Sequence, residues 1–486
     1  MEGKGEDMSA DSQINARIDG VDQACSSGLQ CSYHGIAARL DRLPISDMQK
    51  KMLFLLGGVV FCDSIDMNIG GPVIAQLLAS GWSDSGLNAL FVSTTMAGYF
   101  FGSLLAGTIA DALGRRKSIL FLTALFCGGC FVGAFAPDMC FLIVCRFVMG
   151  LGLGGAYPAA YSALSEFTPP KVRGKWQAYV GLLANSGTPV AAFISMVLLP
   201  IVGWRAVFIF AGILALIALI LCVRYLDESP RWLASKQRFD EAGALLDRYE
   251  QRLIAKGVQI HPVADEIIEQ AASKHEVKQL GWRFLFSKKM LGRTLTGVAL
   301  MFAMNVCVYT VVTWTPTIFV SRGFDVTYSV AMTAVMQCGI PCGVFLMSLI
   351  VEKFKRKPFI CVTLTIVGFA GLIWSQIPAD QTVLIMVVGF LLCMCTYCWS
   401  VAASAVYLPE PFPTQCRTRG TGFCNAIGRI AGVISPYWIA FFIAQGNVTG
   451  VYLVSAGIAV AAVVITAIFG YETHGKTLEE INAGVL

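Results

Sequence analysis

The chain has 486 residues, of which 56% are hydrophobic and 14% are charged. Soluble proteins carry about 25% charged residues, so this composition predicts an integral membrane protein. It argues against a soluble enzyme, a small secreted disulfide module and a nucleic-acid-binding protein. The formal net charge of +5 is typical of a membrane protein whose basic loops remain in the cytoplasm.

The polar N-terminal segment, residues 1–51, contains no apolar stretch of the kind found in signal peptides. We therefore expect a cytoplasmic tail that is largely disordered. Six apolar stretches follow in residues 52–224 and six more in residues 293–471, each long enough for a membrane-spanning helix. The stretches cover 52–79, 87–110, 118–136, 140–164, 177–200, 204–224, 293–319, 328–350, 358–376, 381–407, 420–445 and 448–471.

The charged segment between the two sets, residues 225–292, is predicted to form an amphipathic cytoplasmic linker. Residues 472–486 are predicted to form a short cytoplasmic tail. The two sets have nearly equal lengths, as a duplicated unit would, and each is predicted to be an inverted repeat of three helices. The predicted fold class is an all-α membrane protein with twelve transmembrane helices in two six-helix bundles.

The basic residues predict how the chain is oriented. If the N-terminus is cytoplasmic, 32 of the 36 Lys and Arg residues lie in the tails, the linker and the loops on that side. Basic residues accumulate on the cytoplasmic side of membrane proteins. We therefore expect a multi-pass protein of the cell (inner or plasma) membrane with both termini in the cytoplasm.

The 17 cysteines and four histidines show no metal-ligand spacing. Most of the cysteines lie inside apolar runs, where a free thiol behaves as a small hydrophobic side chain. Cys127 and Cys130 form a CxxC pair, but the pair lies within a predicted span and has no second pair to complete a metal site. Neither a metal ion nor a cofactor is expected.

Four ionisable residues lie deep within predicted spans: Asp63, Asp66, Arg146 and Arg429. A charge at this depth costs several kcal/mol unless it is paired or hydrated, so each marks a candidate functional position. Asp63 and Asp66 are three residues apart and share one face of the first helix. Arg146 lies at about the depth of Asp66, which permits an ion pair.

We assign proton coupling to Asp63, Asp66 and Arg146, because the proton affinity of a carboxylate changes as it pairs with an arginine and separates from it. Two structural alternatives remain open. Asp66 and Arg146 form a static pair that fixes helix packing, or Asp63 caps a break in the first helix near residues 70–72.

Arg429, with Asn425 one turn before it, suits a carboxylate substrate or a gate. The alternative is an arginine that is hydrogen-bonded to backbone carbonyls of a neighbouring helix.

Several motifs follow the predicted spans. The segment GTIADALGRRK, residues 107–117, combines two glycines, one acid and three bases at the end of the second span. Arg146 is followed by GLGLGG, and the sequences ESPRWL and LPEPFPTQCRTRGTG lie at residues 228–233 and 408–422. Together these motifs resemble those of the major facilitator superfamily. The resemblance extends to its sugar porters and its metabolite:proton symporters, which include aromatic acid:proton symporters and nicotinate-type carriers.

The resemblance implies gating roles for the charged and glycine residues of these motifs. The glycines are expected to let helices approach closely, and the charges to form a network that holds one gate state. The second-half copy, VEKFKRKP, lacks the glycines, which predicts asymmetric gating. The candidate gating residues are Gly107, Asp111, Gly114, Arg115, Arg116, Glu166, Arg173, Glu228, Arg231, Glu410 and Arg417.

The resemblance also implies roles for the charges inside the membrane. In proton-linked sugar porters an acid on helix 1 and an arginine on helix 4 form the proton switch, and Asp66 and Arg146 match these positions. Asp63 and Asp66 match the acidic pair of the aromatic acid:proton symporters, apart from its interior Gly-Phe. Residues 422–436 are similar to helix 11 of those symporters and of nicotinate-type carriers. Sugar porters carry clusters of Gln and Asn, for which this chain has only Asn185, Asn305 and Gln337.

Aromatic and amide side chains on the helices that line the cavity in this fold are candidates for substrate contact. The candidate substrate-binding residues are Arg429, Asn425, Tyr157, Tyr161, Asn305, Tyr309, Trp314 and Trp399. The glycines at 98, 102, 150, 152, 154 and 155 are predicted to serve close helix packing rather than nucleotide binding, because they lie within apolar helices.

We interpret the sequence as a secondary transporter that takes up a small organic anion, an aromatic or heterocyclic carboxylate, together with protons by alternating access. The expected partners are this anion, protons and the lipid bilayer, with no nucleic acid, and we expect a monomer. An enzyme is not expected, because no set of nucleophile, base and orienting group is recognisable. The alternatives are a sugar or polyol porter, an organic-cation porter that uses Asp63, and a non-transporting sensor on the transporter fold.

Overall fold

The computed structural model describes residues 33–169, 172–260, 282–350, 353–413 and 416–473. Within these ranges twelve helices are long and apolar enough to cross a membrane, and no strand is present. The prediction of an all-helical, twelve-span membrane protein is confirmed.

The first half begins with a short helix and contains six spans. Its elements are α1 (Tyr33–Arg42), α2 (Asp47–Ala79), α3 (Ser85–Leu113), α4 (Arg115–Ala134), α5 (Met139–Phe167), α6 (Arg173–Val202) and α7 (Trp204–Tyr225). The linker contains α8 (Pro230–Ser235), α9 (Phe239–Ile254) and α10 (Trp282–Leu285). The second half contains α11 (Leu291–Val312), α12 (Thr315–Ser321), α13 (Val326–Gln337), α14 (Gly339–Ile350), α15 (Arg356–Gln376), α16 (Thr382–Val401), α17 (Arg417–Ala444) and α18 (Val448–Phe469).

Interruptions occur in the second half rather than in the first helix. The seventh span is divided into α11 and α12, and the last turns of the tenth span continue α16 as a π-helix, Ala402–Tyr407. The break expected near residues 70–72 is absent, because α2 continues without interruption through Pro72. Packed neighbours allow proline inside a membrane helix. Here Gly71, which precedes Pro72, lies against the backbone of Thr313 between α11 and α12.

Short polar side chains cap four of the six spans that start at the end of the bundle away from the linker. Asp84, Asp138, Asp325 and Asn447 each accept a hydrogen bond from a backbone N–H in the first turn of α3, α5, α13 and α18. Such caps satisfy amide groups that have no partner within the helix. The four helices occupy even-numbered spans, so the caps lie at the same end of the bundle in both halves.

Glycines bring α3 and α5 into backbone contact, as predicted. A side chain at Gly98 would meet the backbone of residues 147–151, and one at Gly154 would meet the backbone of Tyr99. Gly339 and Gly343 bring α14 equally close to the backbone of α16. Small residues at helix interfaces permit the van der Waals packing that drives association in lipid, and the same device recurs in both halves.

The two halves touch near the end of the bundle away from the linker. There the Ser93 hydroxyl donates a hydrogen bond to the Val433 carbonyl oxygen across 2.7 Å, and Gly71 packs on Thr313. At these places α3 meets α17, and α2 meets the break in the seventh span. These contacts close the space between the halves at that end.

The N-terminal segment differs from the expected disordered tail within residues 33–50. Helix α1 packs on α8 and α9 of the linker, with Ile36 and Leu40 buried. Arg39 pairs with Asp247 at 2.6 Å and with Glu250 at 3.0 Å. Burial opposes the charge of Arg39, but the hydrogen bonds and charges of these carboxylates outweigh burial and raise its pKa.

The first span also begins earlier than expected, at residue 47 instead of 52. Ser46 accepts a hydrogen bond from a first-turn N–H, and the Gln49 side chain accepts one from the Ser46 N–H. This capping box extends the helix into the polar segment, where hydropathy gives no signal.

Candidate functional site

The predicted pair of buried charges is present in the structure. Nη1 of Arg146 on α5 lies 3.2 Å from Oδ2 of Asp66 on α2. The side chains of Asp66 and Arg146 are 0% and 2% exposed. An arginine cannot lose its charge in a protein, so the carboxylate of Asp66 is its counterion at this depth.

Polar and aromatic groups complete the surroundings of Arg146. Its Nε donates to the Thr95 hydroxyl across 3.2 Å. Its guanidinium lies 5.0 Å from the ring centre of Phe91 and 5.8 Å from that of Phe208. Aromatic faces attract cations, so rings from α3 and α7 hold the guanidinium beside Asp66.

A polar cavity of about 160 Å³ lies between the two halves. Seven helices contribute to its wall, namely α2, α3, α5 and α6 of the first half and α11, α16 and α17 of the second. The lining residues are Asp63, Ser64, Met67, Asn68, Tyr99, Tyr157, Ala184, Asn185, Thr188, Val308, Tyr309, Val312, Thr313, Tyr397 and Arg429.

One acidic and one basic side chain face this cavity. Asp63 is 3% exposed, and its buried Oδ1 atom has no hydrogen-bond partner among the described residues. Nη1 of Arg429 donates to the Tyr309 hydroxyl across 3.1 Å, and its guanidinium lies 4.4 Å from the ring centre of Tyr99. The alternative in which Arg429 is bonded to backbone carbonyls is not what the structure shows.

The structure brings some predicted substrate-binding residues to the cavity and places others elsewhere. Tyr157, Tyr309 and Arg429 line it, and Tyr161 stacks on Tyr157 with ring centres 4.9 Å apart. The remaining predicted residues are Asn425, Asn305, Trp314 and Trp399.

These four residues do not line the cavity, for two different reasons. Asn425 is exposed and donates to the Thr421 carbonyl oxygen of its own helix. Asn305 donates to the Met301 carbonyl oxygen. Trp314 and Trp399 are completely buried, so these large rings fill the space between packed helices.

Sequence reasoning missed several polar cavity residues. Asn68 donates to the Ser64 carbonyl oxygen at 2.7 Å and to the Thr188 hydroxyl at 3.2 Å, and so joins α2 to α6. A signal was available, because Asn68 is an isolated amide inside an apolar span that also carries Asp63. Tyr99 has no such signal, since tyrosine is common in packed membrane helices.

A charge network lies at the linker end of the first half. One carboxylate oxygen of Glu228 accepts from the backbone N–H groups of Arg115 at 2.7 Å and Arg116 at 3.1 Å. The Arg115 side chain pairs with Glu166 at 2.8 Å and with Asp111 at 2.8 Å. An anion at the start of a helix is stabilised by the free N–H groups and by the helix dipole, so Glu228 holds the first turn of α4.

The second half contains the equivalent contacts, despite its missing glycines. Glu472 accepts from the backbone N–H groups of Arg356 at 2.9 Å and Lys357 at 3.2 Å. Arg356 also lies 3.7 Å from Glu410. A carboxylate therefore holds the start of the helix after the motif in both halves, because backbone N–H groups donate to a carboxylate whatever the local sequence is.

Two other predicted gating residues differ in placement. Gly107 faces open space, so the close approach expected of this glycine is absent. Arg231 pairs at 2.5 Å with Asp41 of α1 and not with a residue between the two halves. The side chains of Arg173 and Arg417 lie outside the described part of the chain.

Gly114, in contrast, has a clear local role. Its φ of +95° is a backbone conformation that suits glycine, and a side chain at this position would collide with the Glu228 carboxylate. It lets the chain turn between α3 and α4 while Glu228 approaches.

No cluster of His, Cys, Asp and Glu with the spacing of a metal site occurs in the described ranges.

Comparison with known proteins gives consistent matches over nearly the whole chain. A family model described as sugar (and other) transporter matches residues 64–484. The inner membrane metabolite transport protein YdjE of Escherichia coli is 37% identical over 452 residues, which are 93% of this chain and 99% of that protein. The niacin transporter NiaP of Acinetobacter baylyi is 28% identical over 451 residues, which are 92% of this chain and 99% of that protein.

A solved structure matches as well. The xylose transporter XylE of Escherichia coli in its inward open conformation superposes with a TM-score of 0.69 and 20% identity. The match covers 89% of this chain and 98% of that chain. At this identity the likeness shows the fold, and the chemistry of the site rests on the residues described above.

Proposed function

The chain belongs to the sugar (and other) transporter family of the major facilitator superfamily, and from this premise we propose that it takes up a small aromatic or heterocyclic carboxylate together with protons. The observation that carries this proposal is Arg429, a permanent cation on the wall of the central cavity. Guanidinium groups bind carboxylates through paired, charge-assisted hydrogen bonds.

The placement of Arg429 favours an anion over a purely structural role. Tyr309 accepts a hydrogen bond from one end of its guanidinium, and the Tyr99 ring covers its face. These contacts fix the plane of the group without neutralising its charge. A carboxylate that enters the cavity supplies the missing anion.

Aromatic side chains favour a ring-bearing substrate. Tyr99, Tyr157, Tyr309 and Tyr397 all line the cavity, and flat rings pack against one another in offset or edge-to-face arrangements. The niacin transporter among the relatives is named for a pyridine carboxylate, which supports this substrate class.

We assign proton coupling to Asp66 and Arg146, together with Asp63, whose carboxyl group lines the cavity. In the transport cycle Asp66 releases its proton when it pairs with Arg146 and takes one up when the pair separates. With one proton for each monovalent carboxylate, the loaded carrier moves no net charge. The pH gradient then drives uptake without a contribution from the membrane potential.

The orientation follows from the distribution of basic residues. We place both termini and the linker in the cytoplasm, because basic loops stay on that side. The halves touch at the opposite end of the bundle, so the described state is closed toward the outside. Alternating access then requires these contacts to open when the carrier loads its substrate.

A sugar substrate is the second candidate. Ser64, Asn68, Asn185 and Thr188 form a polar wall on the first half of the cavity, and hydroxyl and amide groups of this kind bind sugars. An organic cation bound at Asp63 is a third, since the Oδ1 atom of Asp63 has no partner among the described residues.

The deciding experiment measures proton entry into proteoliposomes that contain a pH dye. Benzoate, nicotinate, D-xylose and tetraethylammonium are added separately, and protein-free vesicles correct for passive entry of the weak acids. Wild type is compared with Asp66→Asn, with Arg429→Ala, and with Arg322→Lys as a control for an arginine outside the cavity.

We expect a carboxylate to acidify vesicles that contain the wild-type protein or Arg322→Lys. Vesicles that contain Asp66→Asn or Arg429→Ala should not be acidified. A response to D-xylose alone would replace the anion with a sugar, and a response to the quaternary amine would place the substrate at Asp63. Silence with every compound would contradict proton-coupled transport of these classes.

A further inference from the structure

The CxxC pair on α4 divides between two unrelated partners. The Cys127 thiol donates a hydrogen bond to the Gly212 carbonyl oxygen on α7 across 3.5 Å. Cys130 donates to Oδ1 of Asp66 across 3.2 Å. The two thiols therefore serve neither a metal site nor a disulfide in this structure, and one of them touches the carboxylate to which we assign proton coupling.

Each oxygen of the Asp66 carboxylate has a different donor. Oδ2 lies against Arg146 and Oδ1 against Cys130, and Asp66 and Cys130 are both 0% exposed. The titratable and charged groups that face Asp66 in the described structure are Arg146 from α5, Cys130 from α4 and Asp63 one turn earlier on α2. From α7, the uncharged ring of Phe208 packs on Arg146.

The thiol and the arginine bond different oxygens of Asp66. Arg146 must separate from Asp66 for a proton to be taken up, whereas Cys130 lies on a third helix and bonds the other oxygen. A hydrogen bond to the ionised form of a carboxylate favours that form, and a thiol is a weak donor. The interaction is thus suited to a modest adjustment of proton uptake.

We propose that Cys130 is a positioning residue for Asp66, whose thiol stabilises the ionised carboxylate and so sets the pH at which Asp66 takes up its proton. This inference rests on the proton-coupling role proposed for Asp66. It assigns a function to a cysteine that hydropathy alone describes as a filler of apolar space.

The test titrates Asp66 directly by infrared spectroscopy of the full-length protein in lipid nanodiscs. The band of the protonated carboxyl group is assigned by its absence in Asp66→Asn. Its midpoint is then compared in wild type, Cys130→Ala, Cys130→Ser and Cys127→Ala. The serine variant restores a donor at the same place, and Cys127→Ala removes an equal volume one turn away on the same helix.

We expect Cys130→Ala to shift the midpoint to higher pH by about 0.5 to 1 unit, because the ionised carboxylate loses a weak hydrogen-bond donor. Cys130→Ser and Cys127→Ala should remain within a few tenths of a unit of wild type. In the transport assay, Cys130→Ala should retain proton-coupled uptake to a correspondingly higher pH.

An unchanged midpoint in Cys130→Ala would overturn the inference, and so would an equal shift in Cys127→Ala, which would indicate a general effect of packing. The infrared titration needs no substrate. A wild-type protein that fails to transport any carboxylate would therefore contradict the proposed function, while the comparison of midpoints would still decide the role of Cys130.

Discussion

Asp63 and Arg429 line one cavity from opposite halves of the chain, and the described structure contains no ion pair between them. Asp63 belongs to α2, whereas Arg429 belongs to α17 and is held by Tyr309 and Tyr99. Because the two side chains do not pair with each other, each is available for a different ligand. An anion suits Arg429, and a proton or a hydrogen-bond donor of the substrate suits Asp63.

Replacing Arg429 should weaken substrate binding in proportion to the groups that are lost. Arg429→Ala removes the charge and all the N–H donors of the guanidinium, and we expect the KM for the carboxylate to rise about 30-fold or more, because loss of one partner of a buried charge pair costs about 2 kcal/mol or more. Arg429→Lys keeps the charge but loses the planar fork, so its KM should be intermediate. The measurement is initial uptake against substrate concentration.

Arg322→Lys provides the control for this series. In the native protein, the guanidinium of Arg322 donates to the Ser375 carbonyl oxygen at 2.7 Å and lies over Trp374, away from the cavity. If Arg429→Ala bound the carboxylate as tightly as Arg322→Lys does, the anion would have to bind elsewhere.

Asp66→Asn should abolish coupling while it leaves substrate exchange possible. A neutral amide cannot carry the transported proton, so uptake should no longer respond to a pH gradient. Counterflow of labelled carboxylate against unlabelled carboxylate needs no net proton movement and should persist. Equal loss of both activities would point to a structural role for the pair.

Stability provides a second readout of the same pair. Asp66→Asn leaves Arg146 buried without a counterion, and breaking such a pair costs about 3–5 kcal/mol. Adding Arg146→Gln removes the uncompensated charge, so the double variant should unfold at a higher temperature than Asp66→Asn alone. If the loss of stability in the double variant equalled the sum of the losses in the two single variants, the two residues would act independently.

Most of the fold could be predicted from the sequence, because apolar runs of about 20 residues have few uses outside a membrane. The matched depth of Asp66 and Arg146 permitted their pairing, which the structure contains. The cavity was harder, since Tyr99 and Trp399 look alike as aromatic residues in a span, and only the packing decides which ring faces the cavity.

The contacts of the second-half loop had no sequence signal either. Glu472 binds backbone N–H groups of Arg356 and Lys357, and backbone groups are the same at every position. Helix α1 was missed because its stabilising partners, Asp247 and Glu250, lie about 200 residues further along the chain.

Glycine packing between α3 and α5 gives a prediction with an internal control. Gly154→Ala places a methyl group against the backbone of Tyr99, and overpacking of this kind costs about 1–3 kcal/mol. Gly107 lies on α3, the helix against which Gly154 packs, and a methyl group in Gly107→Ala would meet no atom of the described residues within 4 Å. Thermal unfolding followed by tryptophan fluorescence should therefore show a lower midpoint for Gly154→Ala and none of this loss for Gly107→Ala. Equal midpoints would mean that α3 and α5 can separate at no cost.

The docking of α1 on the linker should depend on Glu250, which is almost fully buried and pairs with both Arg39 and Arg42. Glu250→Gln keeps the shape of the side chain but leaves the two guanidinium groups without its charge. We expect α1 to open more often, so that backbone amides of residues 36–43 exchange hydrogen at least about 10-fold faster, which corresponds to about 1.4 kcal/mol.

Glu241→Gln is the matched control for this change, because Glu241 lies on the same α9 and, among the residues that the structure describes, pairs only with its exposed neighbour Arg238. Hydrogen exchange followed by mass spectrometry should show unchanged protection of α1 in that variant. Unchanged protection in Glu250→Gln as well would mean that the buried side chains of Ile36 and Leu40 hold α1 without help from the ion pairs. A selective loss in Glu250→Gln would instead make the charges the main attachment of α1 to the linker.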